Sequence, residues 1–167
     1  MPTRNLVRGM ALLCCFISAI PLCSAEPYSQ KEGLFKISVP DGWRWSEQSG
    51  KVKIVNPQGN NGISIQFTPK GQPSGEEAKA LLKQSNQAMI ESFVKPSNGT
   101  VVKEEEKQLG GVYARQLDFL LPVKNEVGRM TYISLYNKGY AFTITFGGSN
   151  EKENSEMAKI VETVQFP

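Results

Sequence analysis

The sequence predicts an α+β fold, a single twisted antiparallel sheet with helices laid on it. Three observations carry that prediction. Apolar and polar residues alternate at period two in run after run. Short turns rich in Gly, Asn and Pro join the runs, which makes neighbouring strands antiparallel. Two further stretches carry one apolar stripe at helical spacing, so each helix buries a single face against a sheet. The 167 residues are 40% hydrophobic and 21% charged, the balance of one globular domain rather than a disordered chain or a membrane bundle.

The elements follow in order. Leu34 to Val39 reads as a strand with Phe35, Ile37 and Val39 on one side. Pro40-Asp41-Gly42 ends it in a turn with Pro at the second position, and Trp43-Arg44-Trp45 opens the next extended run. Val52 to Val55 and Ile63 to Phe67 are strands joined by Asn56 to Gly62, almost all turn-forming residues. Ser74 and Glu77 then make a capping box, Ser74 as N-cap and Glu77 three residues on. The helix runs from about Gly75 to Val94, with Ala78, Leu81, Leu82, Ser85, Met89 and Phe93 as its apolar stripe. Pro96 and Gly99 stop it.

Four more strands are expected: Thr100–Leu109, Val112–Leu121, Arg129–Asn137 and Tyr140–Phe146. Gly110-Gly111 is a hairpin turn, and Asn137-Lys138-Gly139 suits a type I turn with Gly left-handed. Met157, Ile160, Val161 and Val164 place an apolar stripe on a terminal helix. No repeat and no interior linker divides residues 26–167, which read as one domain.

Residues 1–25 read as a secretory signal peptide. Arg4 and Arg8 form the basic start, Met10 to Ile20 the apolar segment, and Cys23-Ser24-Ala25 the small-residue site, so cleavage falls between Ala25 and Glu26. The apolar stretch is short of the ~20 residues a membrane-spanning helix needs. A retained N-terminal anchor or a lipid-modified Cys23 is the alternative, and Leu22, a large residue just before Cys23, argues against lipidation. The exported chain is therefore expected in the periplasm with no stable membrane insertion. Cys14, Cys15 and Cys23 are the only cysteines, and the chain has no histidine. The mature protein thus lacks the groups for a Ser-His-Asp triad, a cysteine nucleophile or a Cys/His zinc site. Losing Arg4 and Arg8 leaves 17 basic against 16 acidic residues. No basic field of the kind that binds nucleic acid survives.

Phe35-Lys36-Ile37-Ser38-Val39-Pro40-Asp41-Gly42-Trp43 resembles the opening of the PsbP/Mog/DcrB-like superfamily, in which a strand ends in a Pro-x-Gly-Trp turn. The element order after it, with a long helix behind the third strand and a final hairpin leading into a C-terminal helix, is similar to that family over residues 28–166. The resemblance implies an α/β/α sandwich around an antiparallel sheet, PsbP/Mog-like. It implies a mostly non-enzymatic role too, as in extrinsic photosystem II subunits, a nuclear-transport cofactor and bacterial envelope proteins. No histidine here matches the metal-associated residues of the photosynthetic branch, so a manganese or calcium role is not carried over.

Candidate sites have plain structural counterparts. On a strand, Glu104 and Glu106 face one way and Glu105 the other, flanked by Lys103 and Lys107. Two carboxylates are too few for a divalent cation, so a solvated strand face is expected. Phe146-Gly147-Gly148-Ser149-Asn150 lacks a phosphate-loop signature and reads as a turn with a Ser or Asn cap. Asp118 belongs to no acid/base pair that spacing selects. Tyr132, Tyr136 and Tyr140 gather near the last hairpin and suit sheet packing or a partner surface. Asn98-Gly99-Thr100 matches a glycosylation sequon. Trp43 is expected to be largely buried beside its turn, with Trp45 on the same sheet face and partly exposed.

These readings predict no catalytic, cofactor or metal residues, and no cofactor. They point to an exported non-enzymatic envelope protein, a binding or assembly factor acting through surface contacts with a protein partner. A small-ligand module with an apolar pocket between sheet and helix is the alternative, and an enzyme using carboxylates, Ser, Tyr or Lys comes third.

Overall fold

The computed structural model describes residues 26–167. Residues 1–25, expected to be a signal peptide and holding Arg4, Arg8, the three cysteines and Ala25, lie outside the described residues. Glu26 opens the first strand.

Among the described residues nine strands and two helices follow one another as β1 (Glu26–Ser29), β2 (Lys36–Val39), β3 (Arg44–Gln48), β4 (Lys51–Val55), β5 (Gly62–Pro69), α1 (Gly75–Met89), β6 (Thr100–Leu109), β7 (Val112–Val123), β8 (Glu126–Asn137), β9 (Tyr140–Gly148) and α2 (Glu151–Glu162). Seven strands make one antiparallel sheet in the order β3-β4-β5-β9-β8-β7-β6. The expected single sheet needs one correction: β1 and β2 form a separate two-stranded ribbon, Glu26 opposite Val39, which Lys36 ties to Gln165 by a backbone bridge. Tyr28, Ile37 and Val39 bury their side chains in the main core from that ribbon.

The register shows why the core lies where it does. Ile54, Ile63 and Phe146 stand side by side, as do Val52, Ile65, Ile144 and Ile133, and Phe67, Phe142 and Leu135. Period-two alternation sends this whole set to one face. There the ribbon and α2 cover it, with Met157, Ile160 and Val161 facing in from the helix. Val164, expected on the same helical stripe, is buried just beyond the helix end. On the opposite face α1 covers a smaller core of Val94, Leu117, Phe119 and Tyr132. Helices on both faces give the α/β/α layering.

Three local readings shift. The first turn is one residue later than expected: Trp43 N–H donates to Pro40 C=O at 3.1 Å, so Pro40 is its first residue and Gly42, at φ +80°, its third. The last hairpin turn holds both Lys138 and Gly139 at positive φ, the type I′ pattern whose twist matches the strands, not type I. Ser74 and Glu77 do form the capping box, but α1 ends in a π-helical turn over Ile90–Val94, where Lys95 N–H reaches Ile90 C=O. The wider turn rotates the stripe by a residue. Val94 is buried, whereas Phe93, expected inside, is 44% exposed and meets Phe119 only edge-on.

Candidate functional site

A groove of 460 Å³ opens between α2 and the β6–β8 end of the sheet. Its cause is visible in α2. The helix packs its apolar stripe towards β9, β5 and β2. Its neighbouring stripe, turned to β7 and β8, carries Glu151, Asn154, Ser155 and Ala158, side chains too small or too polar to fill the space. The sheet below is mixed: Gln116, Asp118 and Thr131 lie in the floor beside Ile133 and Phe146.

Asp118 is the centre of that floor. Its side chain is 6% exposed. Thr131 Oγ1 donates to Oδ1 at 2.8 Å and Gln116 Nε2 to the same oxygen at 3.0 Å. Arg129 Nη2 donates to Oδ2 at 3.1 Å from a side chain 50% exposed at the groove wall. A buried carboxylate is retained when donors satisfy it, and here three do. Across the groove Lys107 donates to Glu162, at the end of α2, and to Gln116 Oε1 at 3.4 Å. At the other end, Asn154 Nδ2 donates to Gly148 C=O at 2.9 Å, while its Oδ1 is buried without a hydrogen-bond partner. Gly147 lets β9 pass close: a Cβ there would lie 2.1 Å from Arg129 C=O, and its φ of +147° suits only glycine.

The structure places the other candidates as follows. Glu104 and Glu106 share a face and are both held by Arg115, through Nη2 at 2.8 Å and Nη1 at 3.0 Å, while Glu105 turns the other way to Lys103 at 2.6 Å. The expected solvated face is thus a guanidinium clamp on one side. Burial pushes the Glu104 carboxyl up, but hydrogen bonds from Arg115 and Asn86 outweigh it and hold its pKa below the ordinary carboxylate range. Among the described residues no group of three or more Asp, Glu, His or Cys is placed to hold a metal ion. Asn150 caps α2, its side chain accepting from Lys152 N and Glu153 N.

The tyrosines separate. Tyr132 is buried beneath α1, its hydroxyl 2.8 Å from Ser85 Oγ, and burial raises its pKa. Tyr140 packs on Phe67 and Phe142 on the other face. Trp43 is half-buried rather than largely buried, because the turn sets it at the rim of the core just before β3 begins. Trp45 is 51% exposed and lies over Tyr28 at 4.5 Å between ring centroids. Sequence reasoning missed the groove. Its one signal was the polar stripe of α2 set against polar residues at alternate positions of β7 and β8.

No family model and no curated protein sequence matches the chain. Solved structures do. The cyanobacterial PsbP, CyanoP, from Synechocystis sp. PCC 6803 superposes with a TM-score of 0.63 at 12% identity, over 89% of this chain and 96% of that one. LpqN of Mycobacterium tuberculosis, described as involved in cell envelope biogenesis, gives 0.55 at 16% identity, over 85% and 90%. The Saccharomyces cerevisiae Ran-binding protein Mog1p gives 0.54 at 13% identity, over 86% and 85%. The chain has a PsbP/Mog-like fold, and the resemblance read from the Pro-x-Gly-Trp turn agrees with it.

Proposed function

We propose that this chain is an exported, non-enzymatic binding or assembly factor of the cell envelope, periplasmic after cleavage between Ala25 and Glu26. It holds a segment of a protein partner in the groove beside α2. The observation that carries this reading is the groove beside α2, with the hydrogen-bonded Asp118 carboxylate in its floor, built between a helix and a sheet that elsewhere close on each other. Residues 26–167 contain neither His nor Cys, which supports a binding role over nucleophilic or metal-assisted catalysis. Two fold neighbours, described as Ran-binding and as involved in cell envelope biogenesis, agree with binding and with the compartment. No helix among the described residues is long and apolar enough to cross a membrane. The small-ligand alternative keeps its place in the same space between sheet and helix, where Val127, Ile133, Phe146, Ala158 and Val161 line the groove beside its polar groups.

A photo-crosslinking residue introduced in living cells tests the proposal. Placed at Ser155 or Val127, both lining the groove, it gives a discrete protein adduct. Placed at Gln66, exposed on the other sheet face, it gives none. Adducts of equal yield from all three positions, or from Gln66 alone, overturn the groove as the contact site.

A further inference from the structure

The charges of the main sheet are unevenly spread. From Arg44 to Pro69, through β3, β4 and β5, the chain carries three cations, Arg44, Lys51 and Lys53, and one carboxylate, Glu47. β9, the next strand in the sheet, carries no charged residue. Val52 and Ile54 are buried in the main core, so period two turns Lys51 and Lys53 to the opposite face. Arg44, across from Val55, stands on that same face. None of the three cations makes an ion pair among the described residues. Glu47 is occupied: it accepts from the Tyr28 hydroxyl and from Gln30 Nε2, both on the ribbon side.

A second observation falls on the same rim. β3 ends the sheet, with β4 on one side and, among the described residues, no strand on the other. An edge strand leaves alternate backbone N–H groups without a sheet partner. Trp45 is 51% exposed there, although it packs on Tyr28. Its neighbours Arg44, Ser46 and Gln48 are polar and exposed. A protein hot spot sits in an apolar surround that excludes water. A single exposed Trp among cations and polar groups is instead the pattern of a side chain at a membrane–water interface, with its ring in the headgroup layer. Lys51 and Lys53 lie one strand in, about 5 Å from the rim, within reach of their flexible stems.

We infer that the β3–β4 rim docks edge-on to an anionic phospholipid bilayer, with Trp45 among the headgroups and Arg44, Lys51 and Lys53 on lipid phosphates. The contact is peripheral, and it is independent of the groove beside α2. Each cation near an anionic surface contributes about fivefold to binding, so three against Glu47 favour anionic over uncharged vesicles by about 30-fold.

The test uses the chain from Glu26 onward, which holds every residue of both cores. It is co-sedimented with phosphatidylglycerol-containing vesicles and with vesicles of phosphatidylcholine alone. The anionic vesicles bind it about 30-fold better, and the preference shrinks between about 50 and 300 mM salt. The double variant Lys51→Gln, Lys53→Gln loses nearly all of that preference, whereas Lys103→Gln on β6, the opposite edge of the sheet, keeps it. In Trp43→Phe, which leaves Trp45 as the one Trp, bound protein is quenched by lipids brominated near the headgroup. Equal binding to both vesicles, no binding to either, or a preference that survives the double variant overturns the inference. So does binding without quenching of Trp45. A photo-crosslinking residue at Trp45 that captures a protein in cells, with vesicles left unbound, makes the rim a protein surface and overturns the lipid assignment.

Discussion

Replacing Asp118 by Ala tests how the groove floor is held together. The carboxylate accepts from Thr131, Gln116 and Arg129. A hydrogen bond to a charged group contributes about 1.5–3 kcal/mol net, and a buried donor left alone costs its desolvation. Thr131 is itself buried, so its lost bond counts in full. Gln116 is only half-buried and can turn towards the groove, which returns part of its share. Arg129 is half-exposed, so solvent limits its ion pair to about 1 kcal/mol at most. Together these give a loss of about 3 kcal/mol for Asp118→Ala. Asp118→Asn keeps an acceptor for Thr131 but turns an amide N–H towards Arg129, and costs about half as much. Urea unfolding followed by Trp fluorescence reads both. With a slope of about 2 kcal/mol per molar, usual for a domain of this size, the midpoint falls by about 1.5 M for Ala and ~0.8 M for Asn. A shift under about 0.3 M for Ala would mean that the network is solvated and does not hold the floor, refuting the reasoning.

The remaining predictions are shorter. Glu104 has a lowered folded-state pKa, so its contribution to stability is complete above about pH 4.3, the ordinary carboxylate value, and is lost as pH falls through the lower folded value. Arg115→Met therefore flattens the acid limb of a stability–pH profile from urea unfolding, and an unchanged limb would contradict the clamp. Gly147→Ala drives a Cβ into Arg129 C=O and Met130 Cα, and thermal unfolding should show a loss above about 3 kcal/mol, from steric clash added to the strain of positive φ. Trp43→Ala costs about 1–2 kcal/mol in urea unfolding, because the ring is half-buried, against ~3–5 kcal/mol for a fully buried aromatic. Intact-mass measurement of the exported protein should find Glu26 as the N-terminus without lipid, and an acylated Cys23 terminus would contradict the cleavage site.

Much of the fold was legible because its signals are local. β9 alternates strictly from Phe142 to Phe146, and Gly110-Gly111 and Lys138-Gly139 close their hairpins within two residues. β1 was not legible: Glu26-Pro27-Tyr28-Ser29 is four residues long, contains a proline and gains its partner only from tertiary packing. The π-helical turn escaped for a related reason. Its sequence Ile-Glu-Ser-Phe-Val is helical by period, and only the demand to bury Val94 selects the wider turn. The Arg115 clamp needed the β6–β7 register, which sets Arg115 opposite Glu106. The groove was the hardest to read, because it depends on what α2 fails to cover. Glu151, Asn154, Ser155 and Ala158 look like an ordinary solvated stripe until the sheet beneath them is known to carry Asp118.

The most direct measurement of the central claim is amide chemical-shift mapping of the isotope-labelled protein, titrated with a partner segment identified by crosslinking. The account predicts saturating shifts at Gln116, Thr131, Asn154 and Ser155, with Ser64, Gln66 and Thr143 on the opposite face unmoved. Shifts gathered on that opposite face, or around Trp45, with the Asp118 floor silent, would contradict it.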